Sequence, residues 1–157
     1  MRLSKNFTLA ELTRSSTAKR MGIYNAPDYE PLQNLQRLIT CLVQPMRDEL
    51  GPIRVSSGYR SLALNKAIGG SENPISQHCK GEALDLQFWQ EGVMCNEAIY
   101  EWVKNSGLEF DQMINEYDFE WIHLSYKDGQ NRNELLEAYK DEKGKTKYRT
   151  PKDVSII

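Results

Sequence analysis

Histidine is nearly missing from this chain: His78 and His123 are the only two in 157 residues. Cysteine is scarce as well. Cys41, Cys79 and Cys95 are an odd number with no Cys-x-x-Cys spacing, which excludes a disulfide framework and a cysteine-built metal knuckle. Reduced thiols are expected, two of them packed inside helices. No apolar run approaches the roughly 20 residues of a membrane helix, so no spanning helix is predicted. Neither sign of charge dominates. Twenty Lys and Arg face 22 Asp and Glu, for a net charge of −2, which gives neither the basic surface of a nucleic-acid binder nor the bias of a disordered chain. Gly69 and Gly70 are not followed by a Lys-Ser/Thr pair, so they read as a helix stop and not as a phosphate-binding loop. The first residues, MRLSKNFTLAEL, lack the apolar stretch of a secretory leader, and synthesis in the cytoplasm is expected.

What is present fits one α+β unit. "FTLAEL" carries a capping box, Thr8 with Glu11, and predicts a short helix followed by a second near Ser16 to Met21. From Leu32 to Leu50 apolar residues recur at helical spacing, with Pro45 predicting a kink or break and Gly51-Pro52 a stop. "IRVSSGYRS" reads as a strand and tight turn, and "LALNKAIGG" as a short helix ended by glycines. Residues 82–88 alternate, with Leu84, Leu86 and Phe88 on one face and Ala83, Asp85 and Gln87 on the other. A helix is expected from about Met94 to Asn105. A hairpin is expected with arms near Phe110–Glu116 and Trp121–Tyr126. This places a domain over residues 1–130. Residues 131–157 read as a charged tail with one weak helix, "NELLEAYK", and otherwise mobile.

The two histidines fall at telling places in that pattern. In "EWIHLSY", Ile122 and Leu124 point one way and His123 the other. Asp85 lies opposite the leucines of its own strand, so Asp85 and His123 can share the non-core face of one sheet. His78 hangs from the loop just before the Asp85 strand, where Gly81 allows a sharp turn and Ala83 leaves room. Two imidazoles and one carboxylate leave a fourth position open for water, the pattern of a catalytic rather than a structural zinc site. Glu120, three residues before His123, can reach such a water only from the start of the strand or a bulge, and is a candidate general base. Arg60 can supply a fixed positive charge for an oxyanion. Trp89, Trp102 and Trp121 read as core and cleft wall.

The segments "SSGYRS", "LNKAIGG", "SQHCKGEALDL" and "EWIHLSY" resemble, in order, the signature of the zinc D-alanyl-D-alanine carboxypeptidase family. That family includes vancomycin-resistance D,D-dipeptidases and phage L-alanyl-D-glutamate endolysins. The pattern Ser-x-His-x-x-Gly-x-Ala-x-Asp is met at Ser76, His78, Gly81, Ala83 and Asp85, and Glu-x-x-His at Glu120 and His123. The opening of the chain is similar to a compact branch found in phages and prophages, and the resemblance covers about residues 5 to 127. It implies one zinc held by His78, Asp85 and His123, with Glu120 as base, Arg60 stabilising the transition state and Ser76 positioning substrate. The implied fold is a small antiparallel sheet with helices on one face and the zinc on the other. The implied activity is hydrolysis of an amide in peptidoglycan stem peptides, either a D-Ala–D-Ala end or an L-Ala–D-Glu bond. A monomer is expected, reaching the cell wall after release by a holin or from a virion. Two other readings stay open: a thiol peptidase built on Cys79 and His123, and a non-catalytic wall-binding or phage structural module that keeps the fold.

Overall fold

The computed structural model describes residues 1–152. Helix α1 (Leu9–Thr13) begins at the expected capping box. The Thr8 hydroxyl accepts from the Glu11 N–H, and the Glu11 carboxylate accepts from the Thr8 N–H. Helix α2 (Ser16–Met21) is capped by Ser15 and closed by Gly22 in a left-handed conformation. Helix α3 (Tyr29–Leu38) runs into α4 (Gln44–Leu50) through a π-helical turn over Ile39–Val43. The cause is Pro45, which has no N–H to donate and whose ring would strike the carbonyl one turn back. The Gln44 N–H instead reaches Ile39 O, five residues back, and the helix widens locally without stopping. The apolar stripe therefore continues through the turn, burying Leu35, Leu38, Ile39, Leu42, Val43 and Met46.

The remaining elements are β1 (Ile53–Ser57), α5 (Leu62–Ala67), a 3-10 turn over Gln77–Lys80, β2 (Ala83–Gln90) and β3 (Val93–Met94). They are followed by α6 (Glu97–Ser106), β4 (Gln112–Glu116), β5 (Trp121–Ser125), β6 (Glu134–Lys140) and β7 (Thr146–Arg149). The helix expected from Met94 starts later, because Val93 and Met94 fold back as a strand against Trp89 and Gln90. The strands form one sheet in the order β1-β2-β5-β4-β6-β7, with β3 on β2. Leu84, Leu86, Phe88, Met113, Ile122 and Leu124 pack from one face of this sheet into a single core with α3, the π turn, α4 and α6. No helix among the described residues is long and apolar enough to cross a membrane.

The α+β class is as expected, but the sheet is mixed: β6 runs parallel to β4, from Gln112↔Glu134 to Glu116↔Ala138. This corrects the weak helix read over "NELLEAYK". Glu, Leu and Ala favour helix locally, yet β4 would otherwise present an edge of unpaired N–H and C=O groups, and pairing overrides so mild a preference. Thr146–Arg149 then pairs antiparallel with β6, so the segment read as a mobile tail is sheet as far as Arg149. Residues 153–157 of that segment lie outside the described residues. The cysteines also differ from expectation. All three are free, but Cys41 faces solvent, Cys79 sits in the 3-10 turn, and Cys95 precedes α6.

Candidate metal centre

Three side chains converge on the sheet face opposite the core. Asp85 in β2 and His123 in β5 are direct cross-strand partners. With His78 from the 3-10 turn they present three donor atoms that all lie within 4.8 Å of one another. Asp85 Oδ1 is 3.3 Å from His78 Nε2 and 3.2 Å from His123 Nδ1.

The local backbone explains how His78 gets there. Ser76 caps the 3-10 turn, its hydroxyl accepting from the His78 N–H at 3.2 Å. Gly81 closes the turn at φ +71°, and a Cβ there would sit 2.1 Å from Pro31 O, so two separate constraints require glycine. His78 Nδ1 lies 2.8 Å from Gly58 O. A carbonyl can only accept, so Nδ1 carries the proton and Nε2 is left with a free lone pair facing the other two groups, as a metal ligand needs. Gly58 is fixed in turn, since a Cβ there would meet Leu12 O at 2.1 Å.

The donor set suits a divalent ion of borderline softness: two imidazole nitrogens and a carboxylate, mostly desolvated, with an orienting hydrogen bond behind one histidine. Burial alone would raise the Asp85 carboxyl, but positive charge at the site, that of the two imidazoles when protonated, outweighs it and holds the group below the usual carboxylate range. An acid held in its charged form is what cation binding requires.

The triad opens on a cavity of about 870 Å³. Arg60 and Ser76 line it, and so does Trp121. Trp102 instead packs against the core, and Trp89 lies exposed on the β2–β3 hairpin. Arg60 is held by a buried residue the sequence reading passed over: Asn65 Oδ1 accepts from Arg60 Nη1 at 3.3 Å, while Asn65 Nδ2 donates to Ser71 O at 2.9 Å. Arg60 Nη2 stands 3.8 Å from Asp85 Oδ2, and its Nε is buried without a partner among the described residues.

Glu120 is not brought to this cavity. It is exposed and absent from the lining. The turn before it runs through Tyr117, Asp118 and Phe119, all at positive φ, and directs the Glu120 carbonyl inward. There it accepts from Gln87 Nε2 and Asn96 Nδ2, each at 3.1 Å, and the carboxylate is left in solvent. The acid that does line the cavity is Glu116, the last residue of β4, which was not singled out from the sequence. Ile114 pairs with His123, so Glu116, two residues on, shares the His123 face. Burial pushes its carboxyl up to about 7; His123 opposes the shift and the Asp85 charge adds to it. Period-two counting along "QMINE" contains this signal, but only once the register against β5 is known.

Cys79 is buried and faces a different depression, beside Glu30, Asn34 and Lys80. Burial raises its thiol, with Arg60 only partly opposing, which disfavours the thiolate that a nucleophile needs.

The fold and site thus define a small α+β domain with an open-faced group of three side chains that could hold a divalent ion. The sequence profile of the Peptidase M15 family matches residues 5–125, and the chain belongs to that family. It is also similar to the zinc D-Ala-D-Ala carboxypeptidase of Streptomyces albus G, 33% identical over 105 residues that make up 65% of this chain. The chain spans only 38% of the length of that relative.

Proposed function

We propose that this chain is a zinc-dependent peptidase that hydrolyses an amide bond in peptidoglycan stem peptides. The observation that carries the reading is the convergence of His78, Asp85 and His123 beside a buried carboxyl, Glu116, and a tethered guanidinium, Arg60. Family membership supports hydrolysis of a peptide bond, and the name of the Streptomyces relative supports the metal and the substrate class.

His78 Nε2, Asp85 and His123 would hold the zinc. When bound, the ion supplies Lewis acidity toward the scissile carbonyl and makes water a nucleophile near neutral pH. Glu116 takes up a proton from the attacking water on its carboxylate and returns it to the departing amine nitrogen. A carboxyl raised by burial is suited to both steps near neutral pH. The base is therefore assigned to Glu116 in preference to Glu120. Arg60, steadied by Asn65, sets positive charge where the tetrahedral intermediate gathers negative charge. Ser76 acts by capping the turn that carries His78 and by lining the substrate cavity. A non-catalytic wall-binding module would have no use for a buried acid and a half-buried, tethered arginine facing a metal centre.

The bond favoured is a D-Ala–D-Ala end, after the named relative; the phage-type role in cell-wall lysis is carried only by the likeness of the opening of the chain to the compact phage branch. Mass analysis of the products from defined stem peptides tests this. Loss of a terminal D-alanine, abolished by a chelator and restored by zinc, is the expected result. Cleavage at L-Ala–D-Glu would move the assignment to an endopeptidase, and intact peptides with zinc-loaded protein would remove it.

A further inference from the structure

The β6–β7 hairpin lies beyond the family-matched residues 5–125, yet it builds one wall of the cavity through Leu136 and Tyr148. The register gives the reason. Ile114 pairs with Leu136, Glu116 with Ala138, and Ala138 with Tyr148, so these side chains share the face of the metal centre. Between Glu116 and Tyr148 stands only the methyl of Ala138. Two strand spacings are roughly 10 Å, and a tyrosine laid over an alanine covers most of that gap.

The hairpin is held in place. The Tyr117 hydroxyl is 2.7 Å from Thr146 Oγ1, tying the β4–β5 turn to β7, and Lys140 Nζ donates to the same oxygen at 2.7 Å. The Arg149 guanidinium pairs with Glu137 and stacks 4.1 Å from the centre of the Tyr139 ring. Tyr148 itself is 55% exposed, and its hydroxyl makes no hydrogen bond among the described residues. A cavity-lining phenol of this kind, beside an acid, is free to meet a ligand.

We propose that Tyr148 is a substrate-contacting residue whose hydroxyl donates a hydrogen bond to the residue on the leaving side of the scissile amide. The inference rests on Glu116 serving as the base. Glu116 returns its proton to the leaving nitrogen, so a group beside Glu116 meets the portion of substrate attached to that nitrogen. Partial burial, with the Glu116 and Tyr117 charges, raises the Tyr148 phenol, which keeps it a donor throughout the neutral range.

The test uses the zinc-loaded full chain and its Tyr148→Phe variant. Turnover is measured on N-acyl-D-Ala–D-Ala, on N-acyl-L-Ala–D-Glu, and on the two corresponding primary amides, which have no leaving residue. Tyr148→Phe should lower kcat/KM about fivefold to tenfold on the peptide that is cut, the usual effect of one neutral hydrogen bond. It should leave the amide rate, zinc content and melting temperature unchanged. Equal activity on the peptide, or an equal loss on peptide and amide, overturns the proposal. Failure of the underlying reading looks different: Glu116→Gln is then fully active, or the wild-type chain cuts neither peptide. In the latter case calorimetric titration of each peptide into both proteins decides the contact. A Kd weakened about fivefold by Tyr148→Phe sustains it, and an unchanged Kd or no binding overturns it.

Discussion

The two faces of the central strands are made from alternate residues of the same short segments, yet they obey opposite rules. On one face Leu84, Leu86, Ile122, Leu124 and Met113 are wholly buried in one hydrophobic core. On the other, Asp85, His123 and Glu116 are largely removed from water while keeping ionisable groups. The first face stabilises the fold by withdrawing apolar area from solvent. The second lowers stability wherever a charge is desolvated without a partner, and its arrangement makes sense only with a cation present. A single strand such as β5 thus alternates between residues that hold the molecule together and residues whose desolvation a cation held there would compensate.

Substitutions on the two faces should separate these roles. The largest effect is expected at the proposed metal ligands: His78→Ala and His123→Ala should each lose most bound zinc and essentially all turnover. Asp85→Ala should weaken binding as well. Metal analysis of the purified proteins checks this, and full zinc content in both histidine variants would remove the ligand assignment.

Next comes Glu116→Gln, which keeps shape but cannot take a proton. Zinc should stay bound while the rate falls by on the order of 10²–10⁴. Glu120→Gln should stay near wild type, because that carboxylate is in solvent. The reverse outcome would return the base to Glu120. Glu116 must be ionised to accept a proton, so activity should rise with pH through its ionisation. Burial sets that ionisation near 7 in the metal-free chain, and a bound cation draws it lower. The acid limb of the pH–rate profile should vanish in Glu116→Gln.

On the core face, Leu124→Ala should cost about 2–5 kcal/mol of stability. Any zinc that the folded fraction binds should show unaltered affinity. Denaturant melts with and without zinc separate the two quantities, and a mild Leu124→Ala paired with a destructive His123→Ala would invert the contrast between the faces.

A smaller effect is expected at Asp111, which anchors the start of the β6 arm. Burial would raise its carboxyl, but hydrogen bonds from Arg132 and Gln77 outweigh this and lower it. The folded value lies below the ordinary 3.8, so the stabilisation is present above that pH and lost as the pH falls through the lower folded value. Asp111→Asn should remove this part of the acid sensitivity, read as a melting temperature that changes less over about two pH units below pH 5. The smallest effect is expected for Cys79→Ser, which should retain most activity. Loss of turnover in a folded, zinc-bound Cys79→Ser protein would revive the thiol mechanism.

Period-two alternation and motif spacing were enough to bring out the apolar faces of β2 and β5 and the likeness carried by His78, Asp85 and His123, because both are local properties of the chain. The capping box at Thr8 and Glu11 was legible for the same reason. The Pro45 irregularity was legible as a position, but its form, a widened turn and not a stop, depended on the core beneath it. Three matters were decided only by tertiary structure. β6 became a strand because the open edge of β4 needed hydrogen-bond partners, which no helix propensity in "NELLEAYK" could supply. Asn65, on α5, gained its place behind Arg60 through the packing of that helix against the Ser71 loop, which no spacing encodes. Glu116 faced the metal centre, and Glu120 solvent, because three successive positive-φ residues reversed the chain between them. The facing of a side chain after a turn is fixed by pairing register, a relation between two strands that neither strand carries alone.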